Sequence, residues 1–283
     1  MSILSGNARL AGVLGWPVSH SRSPRLHGFW LERHGIDGAY LPLAVRPEDF
    51  SAAVRGLRAA GFRGCNVTVP HKIAAFEICD TVDDSARRAG AVNTLVFGDG
   101  GITGSNTDGG GFVANLRAYG VDPGAGPALV LGAGGAARAI IASLQDLGVT
   151  VSVCNRTRQR ADALARDLPG LRVLDWDRRA DALADQALLV NTTTVGMHRP
   201  GEAGEKLVID LAHARPGMAV ADIVYVPLET PLLAAARSAG LRPVEGLGML
   251  LHQAVPGFSA WFGVTPTVDD ALRRFVAADL LPA

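Results

Sequence analysis

Little in this sequence points to a metal site, a disulfide framework, a membrane or export. The three cysteines, Cys65, Cys79 and Cys154, lack the CxxC or Cys/His spacing of metal ligands, and the seven histidines show no HExxH or paired spacing. We therefore expect no metal, and reduced thiols in a cytoplasmic protein. No run reaches about 18 apolar residues, and the N-terminus lacks a cationic lead before a long apolar stretch, so we expect no membrane span and no signal peptide.

Net charge is also missing. Lys plus Arg and Asp plus Glu number 27 each, so no global field attracts nucleic acid or an anionic membrane, and we expect small-molecule partners. The sequence is instead rich in apolar residues. The chain has 283 residues, 48% of them hydrophobic, with a mean hydropathy of +0.20. This is enough for two packed cores, so we expect two domains.

The segment 128–157 carries the most informative local pattern. An apolar run before Gly132 predicts a buried parallel strand, and Gly132, Gly134 and Ala137 fill the GxGxxG/A pattern at the start of an amphipathic helix that leads to a second strand. This context predicts a Rossmann-type site in which a dinucleotide pyrophosphate lies on the helix N-terminus. The cofactor-binding residues predicted for this turn are Gly132, Ala133, Gly134, Gly135 and Ala136.

The end of the second strand indicates which dinucleotide binds. About 20 residues after the glycine turn, an NAD enzyme usually has Asp or Glu for the ribose 2′-hydroxyl. This chain has Asn155, Arg156 and Thr157 there, with Arg160 close by. A guanidinium pairs with a 2′-phosphate that a carboxylate would repel, so the sequence favours NADP(H). The alternative is that the arginines of this segment form a solvated helix start, and for Arg158 this alternative is the better one.

Strand and helix patterns alternate along most of the chain, which predicts an α/β fold with mainly parallel sheets covered by helices. Clear helical patterns are 47–60 and 232–239, the second ending at Gly240. The predicted strands are 11–14, 38–44, 64–68, 94–97, 128–131, 149–154, 187–191, 219–224 and 241–244.

Polar clusters in the N-terminal half predict a ligand site. Ser21 and Ser23 stand just before Pro24, a favoured first residue of a helix. Their hydroxyls could cap that helix, or they could converge with its N–H groups on a ligand carboxylate.

A second group of polar residues follows the predicted strand at 64–68. Asn66 and Thr68 alternate with valines and so share one side of that strand, and Pro70 should end it and leave Lys72 in the loop at its carboxyl end. Ligands of open α/β sheets bind at that edge. The pair Asn93-Thr94, and Asp108 ahead of three glycines, could line the same cleft.

These segments together resemble the shikimate dehydrogenase family. The resemblance rests on SxSP with LH, NVTxPHK, GAVNT, NTDGxGF, GAGGAxR, NRTxxR, NTTxxGM, DxVYxPxxTPLL and GLGMLxxQ, in this order from about Gly12 to Gly263. It implies reversible reduction of 3-dehydroshikimate to shikimate with NADPH. It also implies a substrate-binding and catalytic domain at 1–106, a Rossmann NADP-binding domain at 107–245, and helices at 246–283 that pack back on the first domain, in a monomer or a homodimer.

The resemblance implies a role for each matching residue. Lys72 and Asp108 would be the catalytic pair, and Ser21 and Ser23 would hold the substrate carboxylate. Further substrate contacts would come from Asn66, Thr68, Asn93, Tyr225 and Gln253. Additional cofactor contacts near the nicotinamide would come from Thr192, Gly246 and Met249, although Met249 could equally be a core residue.

The chemistry of ketone reduction gives an independent reason for the role of Lys72. Hydride addition to the carbon leaves an alkoxide, and an ammonium group beside a carboxylate can stabilise that charge and deliver a proton. Two serines before Pro24 favour shikimate over quinate as substrate. Two other functions stay open at this point: a sibling oxidoreductase for quinate or an amino-shikimate analogue, and a non-catalytic sensor on the same fold.

Overall fold

The structure is a computed structural model that describes residues 3–197, 209–278 and 280. Its strands are β1 Arg9–Gly15, β2 Gly38–Ala44, β3 Gly64–Val67, β4 Thr81–Val82, β5 Thr94–Gly98, β6 Gly101–Ser105, β7 Ala128–Leu131, β8 Val151–Cys154, β9 Arg172–Val173, β10 Leu188–Asn191, β11 Ala219–Asp222 and β12 Arg242–Val244. Its α-helices are α1 Ser23–Arg33, α2 Phe50–Ala59, α3 Lys72–Ile78, α4 Asp84–Ala89, α5 Asp108–Ala118, α6 Gly135–Asp146, α7 Arg158–Asp167, α8 Pro231–Ser238, α9 Leu247–Phe262 and α10 Asp270–Ala277.

The chain forms two compact units. Residues up to Thr107, together with 253–278, form the first unit, and residues 108–252 form the second. The helix α9 therefore begins in the second unit and ends in the first. The last helix, α10, belongs to the first unit.

The sheet of the first unit is mixed. Its strand order is β2-β1-β3-β5-β6-β4, in which β1 pairs in parallel with β2 and β3, while β5 runs antiparallel to β3 and β6. The last part of α9 completes the core beneath this sheet, because Trp261 is buried and its indole N–H donates to the Leu95 carbonyl at 2.9 Å. A side chain at Gly64 would overlap Trp261, so the glycine lets the strand approach the indole.

The sheet of the second unit is parallel throughout its described strands, in the order β12-β11-β10-β7-β8-β9. This is the doubly wound order of a dinucleotide-binding fold, with its switch point between β7 and β10. The four central strands, β11, β10, β7 and β8, are buried on both faces, as expected inside a parallel sheet.

All nine predicted strands are present, with ends that differ by up to two residues. The strands that were not predicted are β4, β6 and β9. Two of these, β4 and β9, are two-residue edge strands, and β6 is rich in glycine and polar residues. The predicted helix 47–60 is a 3₁₀ turn, Pro47–Asp49, followed by α2. Gly240 follows α8 with φ +70°, as expected of a residue after a helix C-terminus.

Two further observations concern membrane spans and metal ligands. In the part of the chain that the structure describes, no helix is both long enough and apolar enough to cross a bilayer. Within the same residues, no three His, Cys, Asp or Glu side chains gather as metal ligands would.

The last helix is fastened to α1. Arg25 donates to the Phe275 carbonyl at 2.8 Å, and its guanidinium lies 4.4 Å from the centre of the Phe275 ring. Asp269, at the N-terminus of α10, accepts from the Leu272 N–H at 2.9 Å and from Arg33 at 2.6 Å. These two hydrogen bonds, the backbone one first, lower the pKa of Asp269 below its usual value. The anchor thus combines a helix cap with an ion pair.

We predict that D269A lowers the stability of the first unit by about 1 kcal/mol, the usual value of an N-cap side chain. Because the folded pKa is depressed, this contribution is fully present above the unfolded pKa near 3.8 and is lost as the pH falls through the folded value. Urea midpoints of wild type and variant should therefore differ at pH 7 and converge only as the pH falls below 3.8 and through the lower folded pKa. D270A, which removes the neighbouring exposed carboxylate, is the control, and an equal loss in D270A would contradict the assignment.

Candidate active site

The glycine turn of the second unit passes very close to the end of β10. Gly132 has φ +106°, and a Cβ built there would lie 2.6 Å from Thr192 Oγ1. The Thr192 hydroxyl in turn donates to the Leu131 carbonyl at 2.7 Å. Only glycine fits both the backbone angle and the space at position 132.

The residues after Gly132 are open to a ligand. Gly134 and Gly135 are exposed, with no described atom within 4 Å of a built Cβ, and Ala133 and Ala136 are half-buried. Gly134 is the N-cap residue of α6, so the first N–H groups of that helix face an accessible surface. Such a helix start suits an anionic group such as a pyrophosphate.

The basic segment follows β8, the neighbour of β7. The Asn155 amide donates to the Thr157 carbonyl at 2.8 Å and so shapes the turn before α7, and Arg156 and Arg160 have exposed side chains. Arg158 instead forms ion pairs with Asp162, at 3.7 Å, and with Asp175. Arg158 therefore has acidic partners within the protein and lies at the start of α7. The sequence analysis likewise preferred a helix-start role for Arg158 to a cofactor contact.

The serine cluster lies at the N-terminus of α1. The helix begins at Ser23, so Pro24 is its second residue and not its first. Arg22 occupies the N-cap position without a side-chain cap, and Ser21 Oγ accepts a long hydrogen bond, 3.4 Å, from the Ser23 N–H. Ser23 is buried. Capping accounts for Ser21 in part, and it does not account for the hydroxyl of Ser23.

A buried chain of hydrogen bonds joins three of the six predicted substrate residues of the first unit. The Tyr40 hydroxyl donates to Asn66 Oδ1 at 2.6 Å, and Asn66 Nδ2 donates to Thr94 Oγ1 at 3.1 Å. The Thr94 hydroxyl donates to Asn93 Oδ1 at 3.0 Å.

The chain continues through Thr107. Its backbone N–H donates to Asn93 Oδ1 at 2.9 Å, and its hydroxyl lies 3.3 Å from Gln253 Oε1. Asn66, Asn93 and Gln253 were predicted from the sequence to bind substrate, and the structure brings them into one network. Thr94 was expected, with Asn93, to line the same cleft, whereas no such role was predicted for Thr107 or Tyr40.

Two backbone groups fix the direction of this chain. The Asn93 carbonyl, which accepts from Asn66 at 3.2 Å, identifies that atom of Asn66 as the amide nitrogen. The Thr107 N–H identifies the facing atom of Asn93 as oxygen. Burial raises the pKa of Tyr40 well above its usual value, with a smaller opposing effect from a hydrogen bond with Ser23, so the phenol keeps its proton and donates it to Asn66.

His27 lies beside this network and was not predicted to take part in it. Its imidazole is fully buried and stacks on the Tyr40 ring with centroids 3.9 Å apart. Burial lowers the pKa of His27 to about 3, against a smaller opposing effect from Asn66, so the ring is neutral at physiological pH. Among the described residues, neither ring nitrogen has a partner in hydrogen-bond geometry. We therefore assign His27 a packing role against Tyr40.

Lys72 differs from expectation in its local structure. It is the first residue of α3 and does not lie in a loop. The reason is that Pro70 ends the strand at Val67 and the chain turns at once into helix, through a His71 N–H donated to the Thr68 carbonyl at 2.9 Å. His71 is held by a 2.8 Å hydrogen bond with the Val45 carbonyl and stacks on Phe50, so it braces this turn.

The other predicted site residues are distributed over both units. Thr68 directly follows β3, and its N–H donates to the Leu14 carbonyl at 2.9 Å. Asp108 is the buried first residue of α5 and directly follows Thr107 in the chain. Tyr225 is half-buried in the segment after β11. A Cβ at Gly246 would lie 2.5 Å from the Ile223 carbonyl oxygen, so close backbone packing requires this glycine. Met249 is buried in the core cluster that also contains Phe112 and Val244, as its alternative interpretation would have it.

One further polar cluster lies at the ends of β10 and β11, in residues that belong to two of the family motifs but were given no role in the sequence analysis. Asn191 donates to the buried carboxylate of Asp222 at 2.9 Å. Burial raises the pKa of Asp222 to about 6, although hydrogen bonds from Thr230, Val224 and Asn191 favour its ionised form. The signal available in the sequence was an Asn and an Asp that each end an apolar strand.

Known proteins resemble this chain over nearly its whole length. Residues 13–95 match the shikimate dehydrogenase substrate binding domain, and residues 124–216 match the shikimate / quinate 5-dehydrogenase model. The chain is 71% identical to the NADP(+) shikimate dehydrogenase of Acidiphilium cryptum over 281 residues, 99% of each chain. It is 59% identical to that of Paramagnetospirillum magneticum, over 96% of this chain and 99% of the relative.

A solved structure gives the same result for the fold. Shikimate 5-dehydrogenase from Thermus thermophilus, in complex with NADP(H) and shikimate, superposes with a TM-score of 0.85 at 39% identity, over 96% of this chain and 100% of the other. Sequence and fold therefore agree, and the chain belongs to the shikimate dehydrogenase family.

Proposed function

We propose that this chain is an NADP-dependent shikimate dehydrogenase that catalyses the reversible reduction of 3-dehydroshikimate to shikimate, a cytoplasmic step in chorismate and aromatic amino-acid biosynthesis. The observation that carries the proposal is the buried hydrogen-bonded chain from Tyr40 to Gln253, in a protein whose relatives described above are named for this reaction. The hydrogen-bonded network presents fixed amide and hydroxyl groups of the kind that would bind a polyhydroxylated ring acid.

We assign the substrate to the first unit and the cofactor to the second. Residues 1–106 and the helices after residue 246 would form the substrate-binding domain, and residues 107–245 the nucleotide-binding domain. Ser21 and Ser23 would hold the substrate carboxylate at the start of α1, where helix N–H groups favour an anion. Asn66, Thr68, Asn93, Tyr225 and Gln253 would bind the rest of the ring.

The cofactor fits the residues that the second unit offers. The turn Gly132, Ala133, Gly134, Gly135 and Ala136 would hold the pyrophosphate, because a helix N-terminus opens onto it and no described side chain obstructs Gly134 or Gly135. Asn155, Arg156, Thr157 and Arg160 would bind the adenosine 2′-phosphate, and Thr192, Gly246 and Met249 the nicotinamide half. When bound, NADPH supplies the hydride.

The proton is the task of this chain's own residues. Lys72 would give its ammonium proton to the alkoxide oxygen that forms on the ring, and Asp108 would orient the ammonium group. The start of α3 supports this role. Lys72 is the first residue of that helix, and the preceding turn is braced by the hydrogen bond between His71 and the Val45 carbonyl. Shikimate oxidation reverses the transfer, so Lys72 must then accept a proton.

We predict that K72A lowers kcat for 3-dehydroshikimate reduction by about 100-fold or more, the usual effect of losing a general acid, and leaves the Kd for NADPH unchanged. Nicotinamide absorbance and an NADPH binding titration measure the two quantities. The sequence has one other lysine, Lys206, so K206A is the matched control and should keep the wild-type kcat. A K72A enzyme with wild-type kcat would rule out Lys72 as proton donor.

The arginines after β8 offer a paired test of cofactor choice. R156A should raise KM for NADPH about tenfold and leave KM for NADH unchanged, because a hydrogen bond to a charged phosphate contributes about 1.5–3 kcal/mol. R158A should leave the ratio of the two KM values unchanged, since Arg158 is paired with Asp162 and Asp175. The assignment fails if R158A shifts this ratio as far as R156A does.

The glycine turn should separate stability from binding. G132A should lower the thermal midpoint of the free protein, because its Cβ meets Thr192 and a φ of +106° strains any L residue by about 1 kcal/mol or more. G135A should keep the midpoint of the free protein but weaken NADPH binding, since its Cβ enters the space left for the pyrophosphate. Scanning fluorimetry with and without NADPH tests both, and tight NADPH binding by G135A would remove this turn from the site.

A further inference from the structure

Asp222 and Asn191 end two neighbouring strands of the second unit. They are partners in the parallel register of β10 and β11, and their relative exposures are 2% and 0%. Asn191 Nδ2 donates to Asp222 Oδ1 at 2.9 Å. Two polar side chains thus meet inside the protein at the carboxyl edge of a parallel sheet.

The Asp222 carboxylate holds both ends of the segment 224–230. Oδ1 accepts from the Val224 N–H at 3.0 Å, at the start of the segment, and Oδ2 accepts from the Thr230 hydroxyl at 2.7 Å, at its end. Thr230 also caps α8 by accepting from the Leu233 N–H. Tyr225 lies within the segment that the carboxylate holds.

Asn191 does the same for the segment after β10. Its Oδ1 accepts from the Thr193 N–H at 3.0 Å and from the Thr193 hydroxyl at 2.7 Å, while its Nδ2 also reaches the Val195 carbonyl at 3.3 Å. Thr192 lies within this segment and touches the glycine turn. Through the Asn191–Asp222 hydrogen bond, one carboxylate is linked to both segments.

The sheet order shows which half of a dinucleotide these segments serve. The glycine turn follows β7 and the basic segment follows β8, on one side of the switch point. The strands β10 and β11 lie on the other side, and the two mononucleotide-binding halves of such a sheet each take one half of the cofactor. The adenosine half belongs with β7 and β8, so the segments after β10 and β11 face the nicotinamide half.

Burying a carboxylate is costly, and nothing in the apolar core of this unit requires one here. What a carboxylate offers is an acceptor-only group whose two oxygens together accept from the three donors of Asn191, Val224 and Thr230. An amide would turn N–H groups toward some of those donors. A carboxylate at position 222 can therefore accept all three hydrogen bonds, whereas the amide of an asparagine could not.

We propose that Asp222 is a positioning residue that holds the segments 192–195 and 224–230 in the shape that the nicotinamide half of the cofactor requires. The proposal rests on the proposed function for the identity of the cofactor. It assigns Asp222 no contact with cofactor or substrate, because the carboxylate is buried beneath both segments.

The principal test is D222N at pH 8, where the wild-type carboxylate is ionised. We expect kcat/KM for NADPH to fall about 10- to 100-fold, the usual cost of misplacing a reacting group. NADPH fluorescence on binding, which reports the nicotinamide ring, should change as well. The Kd for 2′,5′-ADP, which contains only the adenosine half with its phosphate, should stay within about twofold of wild type.

A second pair of variants keeps the test valid if D222N does not fold. T230V removes the hydroxyl that reaches Oδ2 and should show the same selective loss, whereas T230S keeps that hydroxyl and should behave as wild type. T150V, at an exposed threonine of the same unit, is the control for the substitution itself and should behave as wild type.

The outcomes separate this inference from the proposed function. The fluorescence and 2′,5′-ADP titrations need no turnover, so they remain informative if the wild type does not reduce 3-dehydroshikimate. Equal losses for NADPH and 2′,5′-ADP in D222N or T230V would overturn the inference, because they would show a general loss of the unit's fold. Wild-type NADPH binding and kcat/KM in both variants would overturn it as well.

Discussion

The polarity of the buried hydrogen-bond network in the first unit depends on two main-chain groups, the carbonyl of Asn93 and the N–H of Thr107. Side-chain amides and hydroxyls can each exchange donor and acceptor roles, so a network made only of such groups has more than one arrangement. A carbonyl cannot donate and an amide N–H cannot accept, so these two groups leave the chain from Tyr40 to Asn93 only one direction. At the proposed substrate site, a ligand would then meet groups of fixed polarity, and its binding would require little reorganisation of them.

Those main-chain groups are themselves held by the sheet. The Asn93 carbonyl also accepts from the Val67 N–H at 2.8 Å, and the Asn93 N–H donates to the Ser105 carbonyl at 3.0 Å. The polarity of the network is therefore a property of how β3, β5 and β6 pair. Because β5 and β6 run antiparallel, Asn93, which directly precedes β5, and the segment that follows Ser105 at the end of β6 lie at the same edge of the sheet.

The sequence predicted the parts of the structure whose causes are local. Apolar runs between glycines located nine strands, and the glycine pattern before an amphipathic helix located the nucleotide edge. The sequence also favoured a helix-start role for Arg158 over a cofactor role, and the structure pairs this arginine with Asp162 and Asp175. Local patterns singled out Ser21, Lys72 and Asp108 among other site residues, whereas Tyr225, Gln253 and the contacts proposed for the nicotinamide came from the family resemblance. The individual roles of all these residues remain predictions.

The sequence failed where the cause lies far along the chain. Tyr40 looks like an ordinary strand residue until β2 brings it to Asn66, and Asp222 looks like a strand end until Thr230 and Asn191 surround it. The edge strands β4 and β9 depend on their neighbours alone, since two residues carry no periodicity. Lys72 was placed in a loop because a proline signals the end of a strand, and the helix that follows depends on the turn through Thr68 and His71.

The path of α9 has a consequence for the way the protein is made. The first unit is interrupted after Thr107 and resumes at Gln253, and residues 108–252 of the second unit lie between its two parts. Phe258 and Trp261, which complete the core of the first unit, are therefore synthesised after all of residues 108–252. Domains fold as units while the chain emerges. Residues 108–252 of the second unit, although they start later, are therefore complete before the first unit has its full core, and the sheet of the first unit is synthesised well before the helices α9 and α10 that pack with it.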